Sequence, residues 1–337
     1  MDYMLLGRCG LRVSEFCLGT MTFGEDWGWG ADAAEAIRVA DAFAEAGGNF
    51  IDTASNYTNG ESERIVGEVL AKGRDYWVVG TKYTLSTDPT DPNAGGNHRK
   101  SLVRSLETSL RRLGTDYVDL FWVHLWDFVT PVDEVVRALD DQVRAGKVLY
   151  VGISDAPAWV VAQANTLADL RGWSPFVALQ LQYSLVERGI ERELLPMAAA
   201  LGLGVTPWGV LGHGLLTGRP PGERRWPDEQ ISERGQRVAD MVQAVAEDVG
   251  ASPSQVAIAW LLQRPSPPTI VPIVGARTAA QLADSLGALE LVLGDGQLAQ
   301  IDDAGRPELG FPRAFLESGG VRRLIYGSTW ERLSAAS

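Results

Sequence analysis

Four side chains with complementary chemistry lie in the first half of the chain: Asp52, Tyr57, Lys82 and His124. Reduction of a carbonyl needs a hydride donor on one side and a proton donor at the oxygen, and a tyrosine hydroxyl can donate that proton. Its ordinary pKa of about 10 is too high for efficient catalysis at neutral pH, but a nearby ammonium such as Lys82 favours the phenolate. Asp52 could supply the counter-ion that a buried lysine needs. His124 could donate a hydrogen bond to the carbonyl oxygen.

Each of these residues also has an ordinary structural explanation when it is taken alone. An aspartate after a strand is usually a helix cap or a turn residue. Tyr57 could be a loop aromatic that covers apolar surface, Lys82 a solvated strand end and His124 a semi-buried histidine with satisfied hydrogen bonds. The combination is informative because the polar residues fall where successive apolar runs end. Ser154 and Gln180 end two further runs of the same kind.

The elements that would position these side chains form an alternation of apolar runs and helical patterns. Near-continuous apolar runs are typical of strands that are buried on both faces of a parallel sheet. Eight such strands alternating with helices predict an α/β fold, a (β/α)8 TIM barrel, in which the carboxyl ends of all strands share one face. The predicted strands are 16–19, 49–52, 77–82, 118–124, 149–154, 177–180, 204–208 and 269–274.

Helical patterns with start and stop signals fill the intervals between these runs. Residues 32–35 have the pattern of a capping box at the start of a helix. The stretch 101–113 carries a leucine stripe, and Gly114 follows it where a left-handed residue often ends a helix. The segments 131–145 and 253–262 each begin with proline, which the first helical turn tolerates.

A doubly wound sheet is the rival architecture, but its G-x-G-x-x-G fingerprint after a first strand is missing. The nearest match, at 28–33, has no strand before it. Residues 4–13 predict an N-terminal β-hairpin at one barrel end. The stretches 84–98 and 210–234 predict long loops on the active face, and long loops in compact domains are often functional. No linker is recognisable, so we expect residues 1–337 to form one domain.

Composition narrows the class of protein. The 337-residue chain has a formal net charge of -13, which opposes binding to nucleic acid. No apolar run reaches the roughly 20 residues needed to span a bilayer, and the N-terminus lacks the pattern of a signal peptide. The two cysteines, Cys9 and Cys17, form no disulfide framework, so we expect a cytoplasmic protein. The three histidines have no metal-ligand spacing, and no metal is expected.

At these residues the sequence resembles the aldo-keto reductases, from Leu18 to about residue 285. The resemblance implies the barrel fold and a nicotinamide-dependent reaction at a carbonyl. Three stretches, 97–101, 124–127 and 150–159, are similar to the aryl-alcohol dehydrogenase-like branch of the family. The family motifs are carried by Gly48–Ala54 with Tyr57 following, by Gly80–Lys82, and by Leu113–Leu120 leading to His124.

The resemblance assigns a role to each residue of the tetrad. Tyr57 would be the general acid, Lys82 would lower its pKa, Asp52 would hold Lys82, and His124 would position the carbonyl. The cofactor-binding positions that the resemblance implies are Thr20, Met21, Asp52, Ser154, Asp155, Gln180, Trp208, Gly209, Leu211, Gly214, Gly218, Gly275, Arg277, Gln281, Asp284 and Ser285.

Within this set the resemblance places the parts of a dinucleotide. Ser154 and Gln180 would hold the nicotinamide carboxamide, Trp208 would stack on the ring, and 209–218 would fold over the pyrophosphate. Arg277 would bind the adenosine 2′-phosphate, because guanidinium binds phosphate in a bidentate manner. The resemblance therefore predicts NADPH or NADP as cofactor in preference to NADH.

The chain departs from the family pattern at four of these positions. Asp155 stands where many members have asparagine, and Ser285 stands where asparagine is common. Gly275 and Gln281 occupy places where the best-known branch has basic residues. The expected preference for NADPH therefore depends mainly on Arg277.

An aromatic mouth predicts the class of substrate. Trp27, Trp29 and Trp126 would join Tyr57 and His124 in lining it, which favours an aryl or bulky apolar carbonyl. In the loop 210–234, His213 could line a pocket or be an exposed loop residue, and we favour the exposed loop. Arg219, Arg224 and Arg225 could clamp the cofactor, but we expect them to lie on a solvated loop.

Three functions are compatible with these observations. The first is an NADPH-dependent reductase of aldehydes or ketones. The second is a cofactor-binding regulatory subunit, because the family resemblance includes potassium-channel β subunits. The third is a specialised ketoreductase of sugar or polyketide metabolism, which the barrel alone does not separate from a general aldehyde reductase.

Overall fold

The computed structural model describes residues 1–220 and 231–332. Within them, a two-stranded hairpin precedes eight parallel strands that alternate with helices. The strands are β1 Tyr3–Leu5, β2 Arg12–Ser14, β3 Cys17–Gly19, β4 Phe50–Asp52, β5 Val78–Tyr83, β6 Val118–Val123, β7 Val148–Ser154, β8 Phe176–Gln182, β9 Gly204–Trp208 and β10 Ile273–Gly275. The helices are α1 Ala33–Glu45, α2 Glu61–Leu70, α3 Arg99–Leu113, α4 Val132–Arg144, α5 Ala158–Arg171, α6 Leu194–Leu201, α7 Glu233–Val249, α8 Pro253–Leu262, α9 Ala279–Leu286, α10 Asp295–Gly305, α11 Arg313–Leu316 and α12 Gly319–Tyr326.

The eight parallel strands close into a barrel. Their order is β10, then β3 to β9 in sequence, and every pairing is parallel. The two edges meet at Val205 in β9, whose N–H donates to the Thr269 carbonyl at 2.8 Å and whose carbonyl accepts from Val271 N–H at 2.8 Å. The predicted (β/α)8 barrel is confirmed, because a doubly wound sheet would leave both edges open.

The last predicted strand, 269–274, is wrong as a single element. Residues 269–271 pair with β9, whereas Ile273–Gly275 pair with β3 on the other side. Pro272 separates the two parts because it has no N–H to donate. Its carbonyl accepts from Cys17 N–H at 3.0 Å. One segment thus completes both edges of the barrel.

The predicted N-terminal hairpin is confirmed, and it covers the amino end of the barrel. Strands β1 and β2 pair from Tyr3 with Ser14 to Leu5 with Arg12. Gly7, at the turn, has a left-handed φ of 65°, and a Cβ there would lie 2.6 Å from the Gly204 nitrogen. Only glycine allows so close an approach of two backbones.

Most of the helix signals are confirmed, with one difference. Gly114 ends α3 with a left-handed φ of 63°, and Asp32 accepts from Glu35 N–H at 2.8 Å. The capping box predicted at residues 32–35 is incomplete, however. The Glu35 carboxylate instead accepts from Ala279 N–H at the start of α9, at 2.9 Å. This long-range hydrogen bond joins α1 to α9.

Candidate active site

The strand register brings the four candidate residues to the carboxyl end of the barrel. Asp52 is the last residue of β4, Lys82 lies near the end of β5, and His124 directly follows β6. Tyr57 begins a short 3-10 turn, Tyr57–Gly60, that leads into α2. Because neighbouring strands are paired in parallel, residues that are far apart in sequence face the same mouth.

Lys82 lies at the centre of this group. Its side chain is fully buried, and its ammonium forms a short ion pair with the Asp52 carboxylate. The same Nζ donates to the Thr53 carbonyl at 2.8 Å and to Tyr57 Oη at 3.0 Å. The three donor positions of the ammonium are therefore all used, and one of them is aimed at the tyrosine oxygen.

Charge and burial oppose each other in this pair. Burial alone would lower the pKa of Lys82, but the Asp52 carboxylate and Tyr57 raise it above its ordinary value. Burial raises the pKa of Asp52, and the Lys82 charge opposes that rise. The lysine therefore stays protonated at neutral pH, and this buried cation lies beside a phenol.

His124 is a neutral histidine in this environment. Burial lowers its pKa well below the ordinary value, and the Lys82 charge lowers it further. The ring lies edge-on to Tyr57, with 6.0 Å between the ring centroids. Within the described residues, buried Nδ1 has no hydrogen-bond partner. A neutral imidazole has one N–H donor and one acceptor nitrogen, so it can donate to a substrate oxygen.

A buried polar network supports Asp52 from behind. The Thr20 hydroxyl donates to the Asp52 backbone carbonyl at 3.0 Å and lies 2.8 Å from the Ser62 hydroxyl. Gln180 Nε2 donates to Asp52 Oδ1 at 3.2 Å, so the carboxylate has partners on both oxygens. Thr20 and Gln180, both expected at the cofactor, therefore also hold Asp52 in place: Thr20 binds its backbone carbonyl and Gln180 its carboxylate.

Asp155 and Trp208 form a second polar pair at the barrel mouth. Trp208 Nε1 donates to Asp155 Oδ1 at 3.2 Å, and Ser154 Oγ donates to Asp155 Oδ2 at 3.2 Å. Burial raises the pKa of Asp155 to about 6, although both hydrogen bonds lower it. This geometry fixes the indole plane of Trp208 relative to the end of β7.

A cavity of about 600 Å³ runs along the same face. Its wall brings together many of the predicted cofactor positions with residues that the sequence did not single out for this role. The predicted ones are Gly209, Leu211, Gly214, Gly275, Arg277, Gln281, Asp284 and Ser285, together with the substrate candidate Trp29. The additional ones are Thr22, Val210, His213, Thr217, Arg219, Ser254, Ile273 and Ala280.

The expectation for His213 and Arg219 was wrong. Both are half-buried and line this cavity, whereas we expected an exposed and a solvated loop residue. His213 Nε2 lies 3.1 Å from Gln182 Nε2, and its ring is 6.2 Å from that of Trp208. The loop folds back over the barrel mouth, which local sequence does not show. Arg224 and Arg225 lie outside the described residues.

One end of the cavity is formed by the start of α9. Arg277 is exposed there, and its backbone N–H donates to Gln281 Oε1 at 2.9 Å. Thr278 caps the helix. The Glu35 carboxylate approaches the same turn, and the hydrogen bond from Ala279 lowers the pKa of Glu35. A cation and a carboxylate therefore flank this helix start.

The tryptophans expected at the substrate occupy two different environments. Trp27 and Trp29 are half-buried, with ring centroids 5.7 Å apart, and Trp27 lies edge-on to Tyr57 at 6.3 Å. Trp126 is only 7% exposed and packs in the main hydrophobic core. Two indoles thus extend from Tyr57 towards the cavity. Met21 is half-buried, and Gly218 is exposed at the end of the 3-10 segment Gly212–Thr217.

Two further properties concern membranes and metals. In the described part of the chain, no helix combines the length and the apolar character required for crossing a bilayer. Across residues 1–220 and 231–332, no three His, Cys, Asp or Glu side chains are grouped so that they could hold a metal ion.

Comparison with known proteins agrees with this geometry. The aldo/keto reductase family model matches residues 15–306. Norsolorinic acid reductase A from Aspergillus parasiticus is 40% identical, with 93% of this chain and 83% of the relative covered. An aryl-alcohol dehydrogenase from Pestalotiopsis microspora is 40% identical over 95% and 86% of the two chains. The aryl-alcohol dehydrogenase [NADP(+)] from Phanerodontia chrysosporium is 37% identical over 94% and 89%.

The barrel, the group at its carboxyl end and the extent of these matches lead to one assignment. The family model covers most of the described chain, and the relatives named as reductases and dehydrogenases cover most of it as well. The chain therefore belongs to the aldo/keto reductase family and is a nicotinamide-dependent oxidoreductase.

Proposed function

We propose that this protein is an NADPH-dependent reductase of aldehydes or ketones, with residues 1–337 acting as one domain and Tyr57 as the general acid. One observation supports the proposal above all others. The fully buried Lys82 ammonium pairs with Asp52 and at the same time donates to Tyr57 Oη at 3.0 Å. An ion pair needed only for stability would have no reason to include a half-buried phenol at the carboxyl end of the barrel.

The proposed reduction transfers a hydride to the carbonyl carbon and a proton to the carbonyl oxygen. The hydride to the carbonyl carbon would come from a reduced nicotinamide when one is bound. Tyr57 donates its hydroxyl proton to the carbonyl oxygen, which becomes the alcohol oxygen. The phenolate that remains is stabilised by the Lys82 ammonium, and Asp52 keeps that ammonium in place. In the reverse direction the phenolate accepts the proton of the alcohol.

His124 positions the carbonyl in this proposal. Because its ring is neutral, it can donate one N–H without adding a second positive charge beside Lys82. Its edge-on arrangement with Tyr57 places both rings around a common space. A carbonyl oxygen in that space would accept hydrogen bonds from both side chains.

The residues around the cavity fit a phosphate-bearing dinucleotide. Arg219 and Arg277 both line it and supply positive charge in a chain whose net charge is -13. Gly209 and Gly214 have left-handed φ values of 68° and 98°, which allow the loop to curve over a ligand. Arg277 would hold the 2′-phosphate of NADPH, and the relative named with NADP(+) supports that choice.

An aryl or bulky apolar carbonyl is the substrate class that best suits the mouth. Trp27 and Trp29 extend an aromatic wall from Tyr57. The name of the Phanerodontia relative, aryl-alcohol dehydrogenase, supports the same class. Trp126 packs in the core and is not counted as part of this wall.

The test combines titration and turnover. Wild-type protein is titrated with NADPH and with NADH, and an aryl aldehyde is then added while cofactor fluorescence is followed. We expect tighter binding of NADPH, followed by oxidation. Tyr57→Phe should bind NADPH as the wild type does but lose about 10²- to 10⁴-fold in kcat, because the proton donor is absent. Full turnover in that variant would contradict the mechanism. Binding without turnover on a wide carbonyl panel would instead support a regulatory subunit.

A further inference from the structure

A buried ion pair behind the tetrad takes no part in the proposed chemistry. Glu63, in α2, is completely buried, and its Oε2 accepts from Arg112 Nη1, at the end of α3, at 3.0 Å. The Arg112 side chain is 19% exposed. A buried carboxylate is unfavourable unless it is paired, and buried ion pairs are weak stabilisers even then. The presence of the paired Glu63 on the buried face of α2 therefore indicates a role besides stability.

Each member of the pair reaches one of the two segments that carry Lys82 and Tyr57. Glu63 Oε1 accepts from the hydroxyl of Thr81, the neighbour of Lys82 in β5, at 2.7 Å. Arg112 Nη1 donates to the carbonyl of Ser55 at 2.7 Å. The Arg112–Glu63 pair thus links β5 to the loop that follows β4.

Ser55 is held from both sides. Its N–H donates to the backbone carbonyl of Lys82 at 3.1 Å, while its carbonyl accepts from Arg112. Tyr57 lies two residues further on, and its N–H donates to the Ala54 carbonyl at 3.1 Å. The position of the Tyr57 backbone is therefore set by contacts to Lys82 and Arg112.

The turn after Tyr57 has an unfavourable backbone that Arg112 covers. Thr58, Asn59 and Gly60 have successive left-handed φ values of 43°, 55° and 89°. Left-handed backbone is unfavourable for a residue with a side chain, so this turn needs support from its surroundings. Arg112 packs on it so closely that a Cβ on Gly60 would lie 2.2 Å from the guanidinium carbon.

We propose that Arg112 and Glu63 are positioning residues that hold the loop 53–60 on β5 and thereby keep Tyr57 Oη at its distance from Lys82 Nζ. The proposal rests on the proposed function of Tyr57. The pair contacts Ser55, Thr81 and the turn at Gly60, and it acts on Tyr57 through them. Displacement of a reacting group by about 1 Å can cost 10²-fold in rate.

The decisive variant is the neutral double substitution Arg112→Met/Glu63→Gln. It leaves no unpaired buried charge, keeps an acceptor for Thr81 and removes the donor to Ser55. We expect kcat to fall about 10- to 100-fold, with NADPH affinity unchanged within about twofold. In protein without cofactor, amides of residues 56–60 should exchange hydrogen faster. Arg112→Lys, which keeps one donor, should recover part of kcat and part of the protection.

A matched control exists at the other end of the barrel. Arg74 and Asp119 form a pair of similar burial, with 2.7 Å between Nη2 and Oδ2 and side chains 16% and 10% exposed. Arg74→Met/Asp119→Asn should lower the midpoint of thermal unfolding at least as much, yet leave kcat within about twofold. The readouts of the two double variants separate positioning from stability.

Three results would overturn the proposal. One is a loss of kcat in the Arg112 variant no larger than in the Arg74 control. Another is unchanged hydrogen exchange at 56–60 in the double variant, and the third is failure of Arg112→Lys to exceed Arg112→Met/Glu63→Gln in kcat and protection. Hydrogen exchange in cofactor-free protein decides this inference even if Tyr57→Phe keeps full turnover and the proposed function fails.

Discussion

The two ends of the barrel differ in what their eight strands bury: apolar side chains at the amino end and charged side chains at the carboxyl end. The amino end is closed by the hairpin, and its interior is apolar, with Leu6 and Val13 packed against the first residues of β3, β4 and β5. The carboxyl end contains a fully buried lysine, a buried aspartate and a neutral histidine. The amino end stabilises the fold by removing apolar surface from water. The carboxyl end instead buries charged groups, which is unfavourable for stability and is explained by the proposed chemistry.

The comparison teaches that stability and chemistry are separated along the barrel axis. Two Arg–carboxylate pairs outside the tetrad illustrate this separation: Arg74 with Asp119 at the amino end and Arg112 with Glu63 at the carboxyl end. The Arg74 pair holds strand starts, since Asp119 Oδ2 also accepts from Val79 N–H at 2.9 Å. The Arg112 pair holds a loop. Substitutions at the two ends should therefore differ in whether they change unfolding or turnover.

The largest effect is expected for Lys82→Met. The buried Asp52 would lose its counter-ion, which should lower the free energy of unfolding by about 3–5 kcal/mol. Tyr57 would lose its neighbouring cation, and kcat should fall on the order of 10²- to 10⁴-fold. Urea unfolding and single-turnover kinetics measure the two losses separately.

The double variant Asp52→Asn/Lys82→Met sharpens this result. It removes both charges, so much of the lost stability should return while turnover stays low. Turnover within about tenfold of wild type in either variant would contradict the role given to Lys82. If stability and turnover both recovered in the double variant, the buried charges at the carboxyl end would not be needed for turnover, and the two ends would differ less than we infer.

Leu6→Ala should show the opposite behaviour at the amino end. Leu6 is fully buried in the apolar cluster, and truncation of a buried leucine costs about 2–5 kcal/mol. We expect that loss in urea unfolding, with kcat within about twofold of wild type. Leu5→Ala is the matched control, because Leu5 is 50% exposed in the same hairpin and should change stability by less than about 0.5 kcal/mol. A large loss of kcat in Leu6→Ala would show that the ends are coupled.

The sequence was sufficient for the barrel and for the positions of the tetrad, because both depend on local patterns. Apolar runs mark strands buried on both faces, and polar residues at their ends must share one face of a parallel barrel. Seven of the predicted strands match the structure within one or two residues. The eighth did not, since Pro272 divides a run that reads as continuous.

Contacts between distant segments could not be predicted in this way. Glu63 and Arg112 are 49 residues apart on two helices, and Glu35 meets Ala279 across 244 residues. One local signal did exist for Glu63: it is a carboxylate on the apolar stripe that includes Val66 and Leu70 of α2. His213 and Arg219 gave no comparable signal, because only the folded path of their loop brings them to the cavity.

The smallest expected effect concerns pH and compares two carboxylates on the loops of the carboxyl end. Burial raises the pKa of Asp155 to about 6. The folded protein therefore holds a proton that the unfolded chain releases, and the associated stability, present at low pH, is lost as pH rises to about 6. The pKa of Asp127 is lowered instead: burial alone would raise it, but hydrogen bonds from Asn97 and Thr130 outweigh burial. The Asp127 carboxylate therefore contributes to the free energy of unfolding at neutral pH, and this contribution is lost on acidification.

Substitution of each aspartate by asparagine tests these opposite pH dependences of stability. Asp155→Asn keeps an acceptor for Trp208 Nε1 and removes the charge, so its stability relative to wild type should improve by on the order of 2 kcal/mol between pH 4.5 and 7.5. Asp127→Asn should stay almost constant relative to wild type over that interval, and its deficit should shrink only below about pH 4, so the urea series includes pH 3. Urea unfolding at three pH values measures both trends. Parallel trends would mean that burial does not dominate at Asp155, and the polar contacts of Trp208 and Ser154 would then be strong enough to keep that carboxylate charged at the mouth of the barrel.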